Sequence, residues 1–148
     1  MSRLSHNFSL AELTHSETAV RKGLNNEPGA EVLENLKSLA TALESVRALL
    51  GAPILISSGY RSPEVNAAVG GSANSAHCRG LAADFISPRY GSPLEICTAL
   101  AASDIAFDQL LLEGGSWTHL SIAPTMRRQV LTAHFERGRV RYTAGLAA

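Results

Sequence analysis

Ser75-Ala76-His77-Cys78-Arg79-Gly80-Leu81-Ala82-Ala83-Asp84 places a histidine at the end of a loop and an aspartate seven residues on. Gly70, Gly71, Ser72 and Asn74 precede it as a flexible loop that delivers His77, and Leu81 to Ile86 reads as a strand carrying Asp84. Downstream, Trp117-Thr118-His119-Leu120-Ser121 sets a second histidine in another strand-like run. His77, Asp84 and His119 are side chains of the kind that bind Zn²⁺, and three protein ligands leave a fourth position for water. Such a set describes a catalytic rather than a closed structural site. Taken singly, a histidine beside a strand is more often a hydrogen-bonded core residue, so the weight rests on the joint pattern.

Outward from this stretch the elements follow from local signals. Ser9 and Glu12 have capping-box spacing, with Phe8 placed as a staple, which predicts a short helix over Ser9 to Thr14. Asn25, Asn26, Pro28 and Gly29 make a loop. From Glu31, the residues Val32, Leu33, Leu36, Leu39, Ala40, Leu43, Val46 and Leu50 mark one face of a long helix that Gly51 and Pro53 stop. Pro53 to Ser57 suits a buried strand. Ser62-Pro63 with Glu64 and Ser92-Pro93 with Glu95 start two further helices, the second running to about Ala102. Phe107–Leu112 and Trp117–Ile122 form a hairpin across Glu113-Gly114-Gly115-Ser116, and Gln129–Phe135 pairs with Val140–Thr143 across Arg137-Gly138. Helices come first and antiparallel strands late, so the class is α+β.

The chain has 148 residues, 45% hydrophobic, with 13 basic and 13 acidic side chains, which fits one domain over 1–148 with its own core. Zero net charge gives no reason to expect nucleic acid or an anionic membrane as partner. Cys78 and Cys97 are expected as free thiols, because one pair is no disulfide framework. The polar start, Ser2 to Asn7, shows no secretory h-region, and no apolar run approaches the roughly 20 residues of a membrane span. The expectation is a cytoplasmic monomer. His6, His15 and His134 lie in no ligand spacing and are expected exposed; Arg127, Arg128, Arg137, Arg139 and Arg141 read as a solvated face of the last hairpin or as an attractor of anionic wall polymer.

The ligand-bearing stretches resemble the zinc D-Ala-D-Ala carboxypeptidases and their phage endolysin relatives, whose signature is S-x-H-x-x-G-x-A-x-D with a downstream W-x-H. Ser75, His77, Gly80, Ala82, Asp84, Trp117 and His119 fill every fixed position. Ser58-Gly59-Tyr60-Arg61-Ser62, Phe107-Asp108-Gln109-Leu110 and the opening Phe8 to Leu13 extend the likeness up to about Phe135. The resemblance implies a central antiparallel sheet with helices on one side, the fold shared with the hedgehog signalling domain. It also implies one zinc ion on His77, Asp84 and His119, and a peptidoglycan stem peptide as substrate. Arg61 would pair with a substrate carboxylate or stabilise charge near the zinc, or else make a surface salt bridge. Ser75 would bond near the metal or only shape the loop. Gln109 and Trp117 would contact substrate, Trp117 equally suiting a core. Gly80 and Ala82 would let the chain pass close to its neighbours.

One position departs from the family pattern. The catalytic acid of several members sits three residues before the second histidine, where this chain has Ser116. Glu113 is the nearest carboxylate, and its reach is a question of register. A two-residue turn at Gly114-Gly115 points Glu113 away from His119. A three-residue turn pairs Glu113 with Trp117 and puts Glu113, Trp117 and His119 on one face, and Gly115 favours it. Otherwise Glu113 caps the strand end in solvent. Asp108 falls on the other face. Cys78, adjacent to His77 in what reads as an extended segment, points away from the metal.

The first reading is therefore a zinc metallopeptidase cutting D-amino-acid peptides of the wall, as D-Ala-D-Ala carboxypeptidase or L-Ala-D-Glu endopeptidase, released in the manner of a phage lysis protein. Its rivals are a zinc-containing binding module without hydrolysis and a virion-associated wall-binding protein.

Overall fold

The computed structural model describes residues 2–147. Its elements run α1 (Leu10–Thr14), α2 (Glu17–Lys22), α3 (Ala30–Leu50), β1 (Leu55–Ser58), α4 (Pro63–Ala68), a 3₁₀ turn (Ala76–Arg79), β2 (Ala82–Ile86), α5 (Pro93–Ala102), β3 (Gln109–Glu113), β4 (Trp117–Ser121), β5 (Gln129–Glu136) and β6 (Arg139–Ala144). The strands form one sheet in the order β1-β2-β4-β3-β5-β6, an α+β arrangement as expected. By contacts the chain divides into two compact units, one up to Glu44 with Ile56–Ala83, the other Ser45–Leu55 with Asp84 onward.

In the first unit the capping chemistry is as the sequence dictates. Ser9 and Glu12 close a full capping box on α1, and Ser62 accepts the Val65 N–H at the start of α4. Phe8 and Leu13, the two positions of the staple, are both buried. α2 is an element the sequence reading passes over, although Ser16 caps it and Gly23 ends it in the left-handed conformation, φ 64°. Along α3 the buried side chains Leu36, Leu39, Ala40 and Leu43 follow the anticipated face, as do Val46 and Leu50 in the part of the helix that the second unit takes.

Glu44 anchors the N-terminal arm. It accepts from Ser5 Oγ and Asn7 N at 2.6 Å and from Asn7 Nδ2 at 2.7 Å. Burial pulls its carboxyl pKa up, but the hydrogen bonds from Ser5 and Asn7 outweigh that and leave it lowered. A depressed folded pKa contributes stability above the unfolded value, about 4.3, and loses it as pH falls through the folded value. Acid titration of Glu44→Gln should accordingly show a stability deficit at neutral pH that shrinks below about pH 4. A deficit constant with pH would contradict the anchor.

In the second unit, β3 and β4 pair antiparallel with Glu113 opposite Trp117 and Leu111 opposite His119. α5, capped by a Ser92–Glu95 box, packs on β3 and β4. The expectation of an antiparallel sheet needs one amendment: β5 lies parallel to β3. After β4 runs back, residues 122–128 turn the chain and lay β5 on the far side of β3, so β5 inherits the direction of β3. Arg127 and Arg128 hold this crossover. Arg127 grips Asp108 through Nε and Nη2 at 2.7 and 2.9 Å, which holds the Asp108 carboxyl below its usual value. Arg128 donates to the carbonyls of Leu100 in the last turn of α5 and of Ser103 and Ile105 just past it, and lies 4.5 Å over the Phe107 ring.

Three expectations are corrected here. Arg127 and Arg128 are exposed, but they precede the last hairpin, and Asp108 and backbone carbonyls engage them. His134 is half-buried, its Nε2 2.9 Å from Thr143 Oγ1 across the β5–β6 pair, whereas His6 and His15 are exposed. β1 is an edge strand of alternating burial with Leu55 54% exposed, because β-branched residues at an edge need cover one face only. Cys78 and Cys97 are free, and burial pushes the Cys97 thiol up to about 11.

Candidate metal centre

His77 lies in the 3₁₀ turn, not in extended chain as the sequence suggests, and the turn is built around it. Ser75 caps the turn by accepting from His77 N at 3.2 Å. Gly80 ends it at φ 73°. A Cβ there would stand 2.9 Å from Val32 Cγ1, 3.0 Å from Val32 O and 3.1 Å from Leu36 Cγ, so both backbone and space call for glycine. Gly80→Ala should cost about 2–4 kcal/mol through the left-handed φ and overpacking together. Thermal unfolding would show a fall of roughly 2–4 °C per kcal/mol, and an unchanged melting temperature would refute the close fit.

The Ser58-Gly59-Tyr60-Arg61 segment clamps the turn from the other side. Gly59 O lies 2.7 Å from His77 Nδ1. A carbonyl only accepts, so Nδ1 carries the proton and Nε2 presents its lone pair. Arg61 N donates to His77 O at 3.1 Å, and Tyr60 N to Leu13 O at 2.8 Å. A Cβ on Gly59 would run into the Leu13 carbonyl. Asn26 fixes the clamp: its Nδ2 donates to Thr14 O and Tyr60 O at 2.7 and 3.0 Å, and its Oδ1 accepts from Ser62 N at 2.7 Å. Gly59 and Asn26 are thus positioning residues that the sequence reading left as motif filler and loop.

On the strands, His119 Nδ1 stands 2.9 Å from Asp84 Oδ1 and 3.7 Å from Glu113 Oε1. The hairpin register is the three-residue one, Glu113 opposite Trp117, with Gly114 and Gly115 at φ 59° and 74°. Glu113, Trp117 and His119 therefore share a face. His77, Asp84 and His119 are 3%, 8% and 8% exposed, and each offers a ligand atom within 4.8 Å of the others. Two imidazoles and a carboxylate, buried and converging, fit a divalent ion of zinc type. Cys78 is outside this group.

A family model described as peptidase M15 matches residues 6–121. The chain belongs to the peptidase M15 family. The match spans both histidines, the aspartate and Glu113, so the M15 chain brings the family's metallopeptidase character to the residues gathered above. No curated protein matches it.

Other expected site residues of this M15 peptidase fall as follows. Arg61 is half-buried; its Nη2 donates to Ser75 Oγ at 3.3 Å, its Nε is buried without a partner, and it joins none of the ion pairs among the described residues. Ser75 shapes the loop and holds Arg61. Trp117 is half-buried, its ring 6.4 Å from that of Phe135 and its Nε1 buried without a partner. Gln109 projects from the same sheet face four residues along β3 from Glu113, with its amide donating to Gln129 Oε1 at 2.8 Å.

Proposed function

We propose that this M15 chain is a zinc-dependent hydrolase of D-amino-acid-containing peptide bonds in peptidoglycan. The observation carrying the reading is Glu113, a carboxylate outside the three-ligand group yet 3.7 Å from a ligand histidine. His77 through Nε2, Asp84 and His119 would hold the ion, which when bound lowers the pKa of its water toward about 7 and polarises the scissile carbonyl.

The chain's own residues would do the rest. Glu113 would accept one proton of the attacking water at Oε1 and return it to the departing amine nitrogen, so that the C–N bond breaks as the water oxygen bonds the carbonyl carbon, and the new carboxylic acid then gives its remaining proton to solvent. Arg61, steadied by Ser75, offers a planar guanidinium for the substrate's carboxylate or the developing oxyanion. The Gly59 carbonyl keeps the His77 proton on Nδ1 throughout. Digestion of purified peptidoglycan by zinc-loaded protein, read by mass spectrometry, should release stem-peptide fragments. Stoichiometric zinc with no fragment would defeat the hydrolase reading, and the identity of the fragments separates carboxypeptidase from endopeptidase.

A further inference from the structure

The family match ends at Ser121, and the β5–β6 hairpin lies beyond it. Register nevertheless puts that hairpin in line with Glu113. Trp117, Glu113, Ala133 and Tyr142 are successive partners across β4, β3, β5 and β6, so all four side chains leave one face of the sheet. Ala133 is small and buried, leaving little more than a methyl between Glu113 and Tyr142. Burial and, next, the Glu113 charge push the Tyr142 phenol up.

In the adjoining row Phe135 pairs with Val140 on the same face, and Phe135 leans on Trp117. Gly114 makes room for it, since a Cβ there would stand 2.8 Å from Phe135 Cδ2. Phe135, Val140 and Tyr142 are 56%, 43% and 54% exposed, three large apolar side chains standing together rather than scattered. The same hairpin carries exposed Arg137, Arg139 and Arg141 against one acid, Glu136, which Arg141 engages at 3.0 Å.

We propose that Phe135, Val140 and Tyr142 form a substrate subsite taking the apolar side chains of a carboxylate-bearing peptide, the peptidoglycan stem, beside Glu113. The subsite rests on the hydrolase reading for its substrate. Its continuity with the Glu113 row places the occupant next to the bond to be cut. Arg139 and Arg141 alternate with Val140 and Tyr142 and leave the opposite face, so the charge match to a peptide carboxylate comes from Arg137 at the exposed turn.

The test measures cleavage of a stem pentapeptide ending in D-Ala-D-Ala by zinc-loaded protein, wild type against Val140→Ser/Tyr142→Ser, with melting curves for both. KM should rise about tenfold with a smaller change in kcat, and Tyr142→Leu should retain most of the wild-type KM. An unchanged KM in a folded double variant overturns the subsite and leaves the hydrolase reading standing. Should wild type cleave nothing, or the double variant fail to fold, amide shifts on adding the pentapeptide to zinc-loaded Glu113→Gln protein decide. Shifts along 133–142 support the subsite. Their absence, shifts caused instead by a peptide-free glycan fragment, or a hairpin that proves to pair two copies in sedimentation overturns it.

Discussion

Glu113→Gln should lower kcat by about 10²–10⁴-fold while zinc stays bound. The substitution keeps shape and hydrogen bonding but removes the ability to take a proton from water. Zinc should be retained because Glu113 is not among the three convergent ligands; it reaches only the neighbourhood of His119, at 3.7 Å. Metal analysis and turnover on one preparation therefore separate the roles. A kcat within a few-fold of wild type would remove Glu113 as the base, and loss of zinc would make it a ligand. A binding module without hydrolysis would have no turnover to lose.

The fold was legible wherever local chemistry determines it. Ser9 with Glu12 and Ser92-Pro93 with Glu95 closed the capping boxes their spacing announces, and the apolar face of α3 ran from Leu36 to Leu50 as written. Arg137-Gly138, both at positive φ, turned the last hairpin. What local chemistry cannot carry is strand neighbourhood. Nothing in residues 122–128 says that β5 will join β3 instead of β4, and the ties that hold the crossover, Arg127 on Asp108 and Arg128 on Phe107, link residues about 20 positions apart. The edge position of β1 is likewise a property of the sheet and not of Leu55–Ser58.

At the site, the ligand types and their spacing were readable, because few residue combinations suit a divalent ion. The supporting shell was not. Gly59 acts through a main-chain carbonyl, which no side-chain motif encodes, and Asn26 bonds across 34 and 36 residues to Tyr60 and Ser62. Glu113 was readable only as two registers: both Gly114 and Gly115 stand at positive φ, and it is the pairing of Glu113 with Trp117 in the folded hairpin that decides between them. Tyr142 entered no sequence argument, since its alignment with Glu113 passes through two strand pairings.

His77→Ala and His119→Ala should each abolish zinc binding and with it hydrolysis. Removing a bond partner behind a ligand already costs 10–100-fold in metal affinity, and removing the ligand itself costs more. Without the imidazole of His119, moreover, Asp84 and Glu113 lose the nitrogen that both carboxylates approach, at 2.9 and 3.7 Å. The readout need not involve turnover. Zinc at 100 times its dissociation constant stabilises a folded protein by about 2.7 kcal/mol, roughly 5–11 °C in melting temperature for a chain of this size. That upward shift should be present in wild type and absent in both histidine variants. Cys78→Ser should keep it, since Cys78, though adjacent to His77, is outside the convergent group. A zinc-induced shift surviving in both histidine variants would sink the ligand assignment, and its loss in Cys78→Ser would mean a fourth protein ligand and a closed site with no place for the attacking water.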